Sequence, residues 1–364
     1  MLERKIKKLF WTLAGGLVKR GPDSFRLGPS PSILLLRPDR LGDFLLSAPA
    51  IRALELMAGP SARITIVAGK RNEALARALF PKAKVMVFRN FFPSRILLFL
   101  RLWTCHYDAT IDLHSYPFST TSALMTLLSG SPLRVGFWAG GDHREYGTLS
   151  KKVYNRGLPT PPENLHESLK GFRLAKGLYP SIVFDVVHPL VPPVRPSTVQ
   201  AVKRFYEGMD LSRKTKILGL HPTLQKVDNC WSKERYVQLI GKLGSNPDLK
   251  ILLIHGKGEG DDLKRFQAFL GPLPNVFALP SDDLFFILEA AKRLDLLVCN
   301  DSGLMHLVAG VTSLLAVFGP SDPRRWGPLA SQGYKTRIFR KSDHLCDSVQ
   351  ASEVAREALK TVKR

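Results

Sequence analysis

The feature that most constrains this chain is the regular alternation of short, wholly apolar runs with longer segments of helical period, each junction marked by glycine, proline or aspartate. "ILLLRP" (Ile33 to Pro38) precedes "LGDFLLSAPAIRALELM", helical in period from Phe44 onward, and "RITIVAG" (Arg63 to Gly69) precedes "NEALARALF". "KVMVF" (Lys84 to Phe88) and "YDATIDLH" (Tyr107 to His114) continue the series. A strand apolar at every position has both faces buried, so this alternation predicts a parallel sheet covered by helices on both sides. A Pro-rich stretch, "HPLVPPVRPS" (His188 to Ser197), interrupts it. The pattern then restarts with "KILGLHP" (Lys216 to Pro222), "KILLIHG" (Lys250 to Gly256), "DLLVCND" (Asp295 to Asp301) and "LLAVFGP" (Leu314 to Pro320).

With 364 residues there is chain enough for two such cores. The predicted organisation is a basic amphipathic segment over 1–30, a first doubly wound domain over 31–190, a Pro-rich linker over 191–212, a second doubly wound domain over 213–340, and a C-terminal helix over 341–364. Two Rossmann-like α/β domains are expected to face each other across a cleft, since ligands of this fold class bind outside the carboxyl ends of the strands.

Those ends carry small and polar residues. The first domain offers Arg37, Asp39, Arg40, Gly42 and Asp43. The second offers His221, Pro222 and Thr223, then His255, Gly256, Gly258 and Glu259, then Asp301, Ser302, Gly303 and His306, then Gly319, Ser321 and Asp322. In "LLVCNDSGLMHLVAG" (Leu296 to Gly310), Asp301 or Ser302 is an N-cap candidate ahead of Leu304, Leu307 and Val308. A turn of this kind presents free N–H groups and the positive end of a helix dipole, which suits a phosphate, although an ordinary capped turn reads the same way.

The net charge is +22, with 53 Lys and Arg against 31 Asp and Glu, and such an excess implies an anionic partner: nucleic acid, an anionic membrane face or a phosphorylated substrate. Cys105, Cys230, Cys299 and Cys346 lie far apart and have no zinc-ligand spacing, which predicts neither a disulfide framework nor a metal site and fits a reducing compartment. No apolar run is long enough for a membrane-spanning helix. At the N-terminus Lys5, Lys7, Lys8, Lys19 and Arg20 flank Leu9, Phe10, Trp11, Leu13 and Leu17. This reads as a basic amphipathic helix on a membrane surface, or a plain solvated helix, rather than a signal peptide, for which a cleavage site is lacking.

"LRPDRLGDFLLSAPAIRAL" and "NDSGLMHLVAG" with "LLAVFGPSDPRRWGP" resemble, in this order, the two signatures of the heptosyltransferase-type glycosyltransferases, glycosyltransferase family 9. "YDATIDLH" and "LHPTLQKVDNCWSKERYVQLI" are weaker matches, and the resemblance runs from about Ile33 to Pro328. It implies a GT-B fold, a nucleotide-sugar donor held by the C-terminal domain, and inverting transfer of a heptose from ADP-heptose to the lipopolysaccharide inner core, with neither metal nor cofactor required. Asp43 matches the family's catalytic base; its alternative role is to cap the following helix. Ser302 and Gly303 match the donor-diphosphate cradle, and Asp301 the contact to the donor sugar. His306 supports that site or is a core histidine, and Glu259, or alternatively Asp261, is the candidate for the ribose hydroxyls. Thr223 is a candidate phosphate contact.

One departure stands out. Family members often carry a phosphate-binding Lys two residues before the Trp of this segment, and here Asn229 precedes Trp231; Lys226 or Lys233 would have to supply the charge. The resemblance also gives the basic excess a partner, an anionic glycolipid at the inner face of the cytoplasmic membrane, with the protein cytoplasmic and peripherally bound. Arg40, Arg71 and Arg89 are the candidate acceptor contacts, Arg95 and Arg101 lie in the same N-terminal half where an acceptor is expected, and Phe91, Phe92, Leu97 and Leu98 are candidates for lipid docking, against an ordinary basic surface with core aromatics. No nucleic-acid-binding signature accompanies the charge. The alternatives are a glycosyltransferase using another nucleotide sugar and a catalytically silent protein that keeps the fold.

Overall fold

The computed structural model describes residues 27–362 except 116–117, 141–144, 184–186, 223–228 and 245. Most of the expected N-terminal amphipathic segment, and Thr223 and Lys226, lie outside the described residues. The chain forms two compact units that divide between Val187 and His188.

The first unit is a six-stranded parallel sheet in the order β3-β2-β1-β4-β5-β6. Its strands are β1 (Ser32–Arg37), β2 (Arg63–Gly69), β3 (Lys84–Phe88), β4 (Ala109–Asp112), β5 (Leu133–Phe137) and β6 (Arg156–Leu158). The helices are α1 (Leu41–Ala58), α2 (Glu73–Leu79), α3 (Phe92–Thr104), α4 (Thr120–Leu128), α5 (Gly147–Val153) and α6 (Glu167–Leu178). Every residue of β1 is buried, as its unbroken apolar run requires, and each such leucine or isoleucine contributes about 1.5–3 kcal/mol by leaving water. α1 starts at Leu41, three residues before the expected Phe44, and continues through Pro49. α6 packs along α1, and Gly171 permits the approach, since a Cβ there would stand 3.2 Å from Ala50 Cβ.

The second unit repeats the plan in the order β12-β11-β10-β7-β8-β9. Its strands are β7 (Lys216–Leu220), β8 (Leu249–Leu253), β9 (Val276–Ala278), β10 (Leu296–Asn300), β11 (Leu314–Val317) and β12 (Thr336–Phe339). The helices are α7 (Pro196–Glu207), α8 (Lys233–Leu243), α9 (Gly260–Leu270), α10 (Leu284–Ala291), α11 (Gly303–Val308), α12 (Pro323–Trp326) and α13 (Ala351–Val362). α13, within the segment expected to be helical, packs on α8.

Two expectations change. Residues 191–212 are not a bare linker: Pro196 starts α7, where its missing N–H costs nothing, and the helix docks on α10 through the Tyr206 hydroxyl, which donates to the Ala290 carbonyl at 2.8 Å. Leu98 does not face outward with Phe91, Phe92 and Leu97; it is buried with Leu34, Leu36 and Leu102 on the inner side of α3.

In each sheet the strand order reverses between two central strands, β1 and β4 in the first unit and β7 and β10 in the second. Connections leave in opposite directions at such a point and open a crevice beyond the carboxyl ends. Leu36 pairs with Asp112 in the first unit and Leu220 with Val298 in the second, so the residues that follow them face each other at the crevice.

Candidate functional site

At the first crevice, β1 ends on Arg37 and the turn Pro38–Asp39–Arg40 leads into α1. Gly69, at the end of β2, lies against this turn so closely that a Cβ would meet the Pro38 carbonyl oxygen at 2.5 Å, and Asn72 Nδ2 donates to the Asp39 carbonyl at 2.9 Å. The turn is thus held from outside as well as by its own chain.

The Arg37 guanidinium, 2% exposed, organises what surrounds it. It donates to the Leu113 carbonyl at 2.6 Å and the Asp43 carbonyl at 3.2 Å, and pairs with the carboxylates of Asp39 and Asp43, each at 3.3 Å. His114 Nδ1 stands 2.9 Å from Asp39 Oδ2. One carboxylate oxygen of Asp112 accepts from the His114 N–H at 3.0 Å and the other from the Tyr154 hydroxyl at 2.6 Å. From α6, Glu167 accepts from the Ser115 hydroxyl and, at 2.8 Å, from the buried Lys170 ammonium.

These surroundings shift the carboxyls apart. Burial raises Asp43 above the ordinary carboxylate range, opposed by Arg37 and reinforced by Asp39 and Glu167. At Asp39 burial pushes the same way, but the His114 hydrogen bond and the Arg37 charge outweigh it and hold the carboxyl low. Burial raises Asp112 to about 6. At His114 burial works against the charged ring, and the bond to Asp39 overcomes it, so the imidazolium is favoured. Two neighbouring carboxyls with opposite shifts are what separate a proton acceptor from a fixed charge.

Asp43, with a side chain 17% exposed, is therefore a carboxyl open to solvent with a raised affinity for protons. It lies in the first turn of α1 but makes no cap bond; its carboxylate is on Arg37 instead. Arg40 and Arg71 are exposed, and Arg89 pairs with Glu73 at 3.5 Å.

At the second crevice, Ser302 is the N-cap of α11, its hydroxyl accepting from the Met305 N–H at 3.2 Å. The first N–H groups of a helix have no intrahelical partner, so the turn retains donors for an anion beyond the one its cap satisfies. His306 is buried within α11. Asn229 is buried beside this turn and its Nδ2 lies 3.4 Å from Asp301 Oδ2. Trp231 anchors that loop: the indole is wholly buried, donates to the Val349 carbonyl at 3.0 Å and packs edge-on against Tyr236. Lys233 begins α8 and is exposed.

Glu259 faces inward, its carboxylate 2.9 Å from His221 Nε2 and accepting from the Gly256 N–H at 2.7 Å. Asp261 is exposed and pairs with Lys264. Three buried polar atoms around this crevice have no protein partner among the described residues: His221 Nδ1, Asn229 Oδ1 and Ser321 Oγ. Native interiors satisfy nearly all such atoms, so their grouping marks a place for ligand or water.

A family model, glycosyltransferase family 9 (heptosyltransferase), matches residues 95–351, well over half of the chain. The chain belongs to glycosyltransferase family 9. The fold of this family 9 member is similar to that of Escherichia coli ADP-heptose lipopolysaccharide heptosyltransferase II, at 21% identity and a TM-score of 0.71, covering 91% of this chain and 98% of that one. A family 9 glycosyltransferase from Veillonella parvula follows at 16% identity and 0.70, covering 92% and 97%. E. coli heptosyltransferase WaaC with ADP matches at 19% and 0.66, covering 91% and 99%. No curated protein matches by sequence. Family and fold together make the chain a heptosyltransferase-like glycosyltransferase of the GT-B class.

In the sequence Arg37, Asp39 and Asp43 stand out as strand-end residues, whereas Asp112, His114, Tyr154 and Glu167 gain their place only in the folded chain. The "DLH" that closes β4 was a signal in view; that it abuts the end of β1 follows only from the strand order.

Proposed function

We propose that this glycosyltransferase transfers a heptose, or a related sugar, from ADP-heptose to the core of a lipopolysaccharide acceptor, with inversion at the anomeric carbon. The observation that carries the reading is the pair of oppositely shifted carboxyls around Arg37, with Asp43 as the reachable member. The acceptor hydroxyl oxygen attacks the anomeric carbon as its proton passes to Asp43, and the bond from that carbon to the diphosphate breaks with its electron pair leaving on the nucleotide. Asp39, kept ionised by Arg37 and His114, holds the guanidinium so that it does not neutralise Asp43 alone. In the second unit, the N-terminus of α11 beyond Ser302 and Gly303 offsets the charge that develops on the departing diphosphate. Asp301 takes the donor sugar, Glu259 is the candidate for the ribose hydroxyls, and Lys226 or Lys233 with Thr223 supplies phosphate contacts. Arg40 and Arg71 receive the anionic acceptor, a glycolipid at the inner face of the cytoplasmic membrane, to which the protein binds peripherally. No metal, cofactor or nucleic acid enters this scheme.

A second reading, transfer from a different nucleotide sugar, is favoured by Asn229, which offers a neutral amide where many relatives have a cation. Calorimetry with ADP, UDP, GDP and CDP separates the two. The first reading expects selective ADP binding that survives Asp43→Ala and weakens with Ser302→Ala, followed by transfer from ADP-heptose to a core lipid acceptor. Selectivity for another nucleotide selects the second reading, and absence of all nucleotide binding overturns both.

A further inference from the structure

α3 is apolar on both of its faces. Leu98 and Leu102 are buried against the sheet, as an amphipathic helix requires. The opposite face carries Phe92 (69% exposed), Ile96 (43%), Leu100 (49%) and Trp103 (71%), at the i, i+4, i+8, i+11 spacing that forms one stripe. Phe91 and Leu97, also exposed, widen it. A surface helix ordinarily places charged residues there, and a contiguous apolar patch on a water-exposed face marks an interaction site.

The charges beside the stripe identify the partner. By helical geometry Arg95 borders it on one side and Arg101 on the other, and Arg89 lies just before the helix with its side chain 46% exposed. From Arg89 to Tyr107 the chain contains no Asp or Glu. A second copy of this chain fits such a face poorly, because a two-fold contact would bring the arginines of both copies to one seam with no carboxylate of the segment to meet them. An anionic lipid surface satisfies both features at once, taking aromatic and aliphatic side chains below its headgroups and arginines on its phosphates.

We propose that the outer face of α3 is a membrane-docking surface: the helix lies in the plane of an anionic bilayer with Phe92, Ile96, Leu100 and Trp103 inserted and Arg95 and Arg101 on lipid phosphates. The proposal deepens the functional reading by naming how the enzyme meets a membrane-borne acceptor, and rests on that reading only for the identity of the membrane.

The test is co-sedimentation of the full chain with phosphatidylcholine vesicles, with and without phosphatidylglycerol. The expected result is binding to the anionic vesicles that falls with added salt, is reduced tenfold or more by Ile96→Glu with Leu100→Glu, and by roughly thirtyfold by Arg95→Gln with Arg101→Gln. All four positions lie at the surface, and unchanged thermal melting shows that the variants fold. The N-terminal basic segment is present in every variant, so binding by both double variants at the parent's level places docking elsewhere and overturns the proposal. Failure of the parent chain to bind anionic vesicles overturns it as well. A dimer in light scattering that the Ile96→Glu, Leu100→Glu pair dissolves assigns the face to a second copy instead, also against the proposal. Calorimetry with ADP runs beside it: lost nucleotide binding with intact vesicle binding counts against the functional reading alone.

Discussion

Asp39 and Asp43 flank one buried guanidinium, each 3.3 Å from Arg37, yet the first carboxyl is held below its ordinary range and the second above it. The difference lies in the remaining neighbours. Asp39 has His114 at 2.9 Å, whereas Asp43 has burial and the charges of Asp39 and Glu167 to contend with. The same guanidinium thus stands between one carboxyl biased toward its anion and another biased toward its protonated form.

Asp43→Asn is expected to lower the rate of transfer by about 10²–10⁴-fold and to leave nucleotide binding intact, because general-base catalysis contributes on that scale. The acid limb of the parent rate profile should lie above the ordinary carboxylate range, since the base works only when ionised and its affinity for protons is raised. Single-turnover rates across pH, set beside calorimetry, check both; an acid limb at the ordinary value would remove Asp43 from the role.

Asp112→Asn tests the buried carboxyl behind the site. A folded-state value of about 6 against an ordinary 3.8 means that the folded state holds its proton more tightly, so this group's contribution to stability is lost as pH rises through that window. At about 1.4 kcal/mol per unit, ionisation costs the fold about 3 kcal/mol at neutral pH. Relative to the parent, the variant should gain stability between pH 4 and 6, by about that amount at most, and the gain should level off above. Chemical denaturation at several pH values measures the difference curve.

Gly69→Ala drives a methyl group toward the Pro38 carbonyl at 2.5 Å, against backbone that has no flexible end to yield. The expected cost is about 1–3 kcal/mol, as for other overpacked sites. Displacement of the Asp39–Arg40 turn should also lower kcat while nucleotide affinity in the other unit stays unchanged. A variant with full activity and parental stability would show that the turn absorbs the methyl.

Asn229→Lys places a cation beside Asp301. A hydrogen bond to a charged group contributes about 1.5–3 kcal/mol, so affinity for a nucleoside diphosphate should rise by about tenfold or more. Weaker binding would instead show that the Asn229 amide is itself the donor contact. Calorimetric titration with ADP reads either outcome.

Eight strands were legible, seven of them inner, because burial on both faces demands apolar residues at successive positions, as in "ILLLR" and "LLVCN"; the eighth, β3, is an edge strand whose "KVMVF" is apolar enough to be read by itself. Of the strands that were not read, β5 is buried at all five positions but has Arg134 and Gly136 within its apolar run, whereas β6, β9 and β12 lie at sheet edges, half-exposed and only three or four residues long. There a strand needs little hydrophobic pattern, since its neighbour supplies the register. α7 was hidden for a related reason: Pro196 looks like punctuation in a sequence and serves as the first residue of a helix in the structure.

By itself the sequence determined the alternation of buried strands and helices, the division into two units, the family, and the residues that end the central strands. Those properties depend on local period and on which side chains tolerate water, and both are written residue by residue. Only the tertiary structure decided that Asp39 meets His114, 75 positions away, that Asn229 meets Asp301, and that α3 shows an apolar face to solvent. Strand order brings these groups together, and it is set by how whole elements pack; the shifts of Asp39 and Asp43 follow because charges act through space.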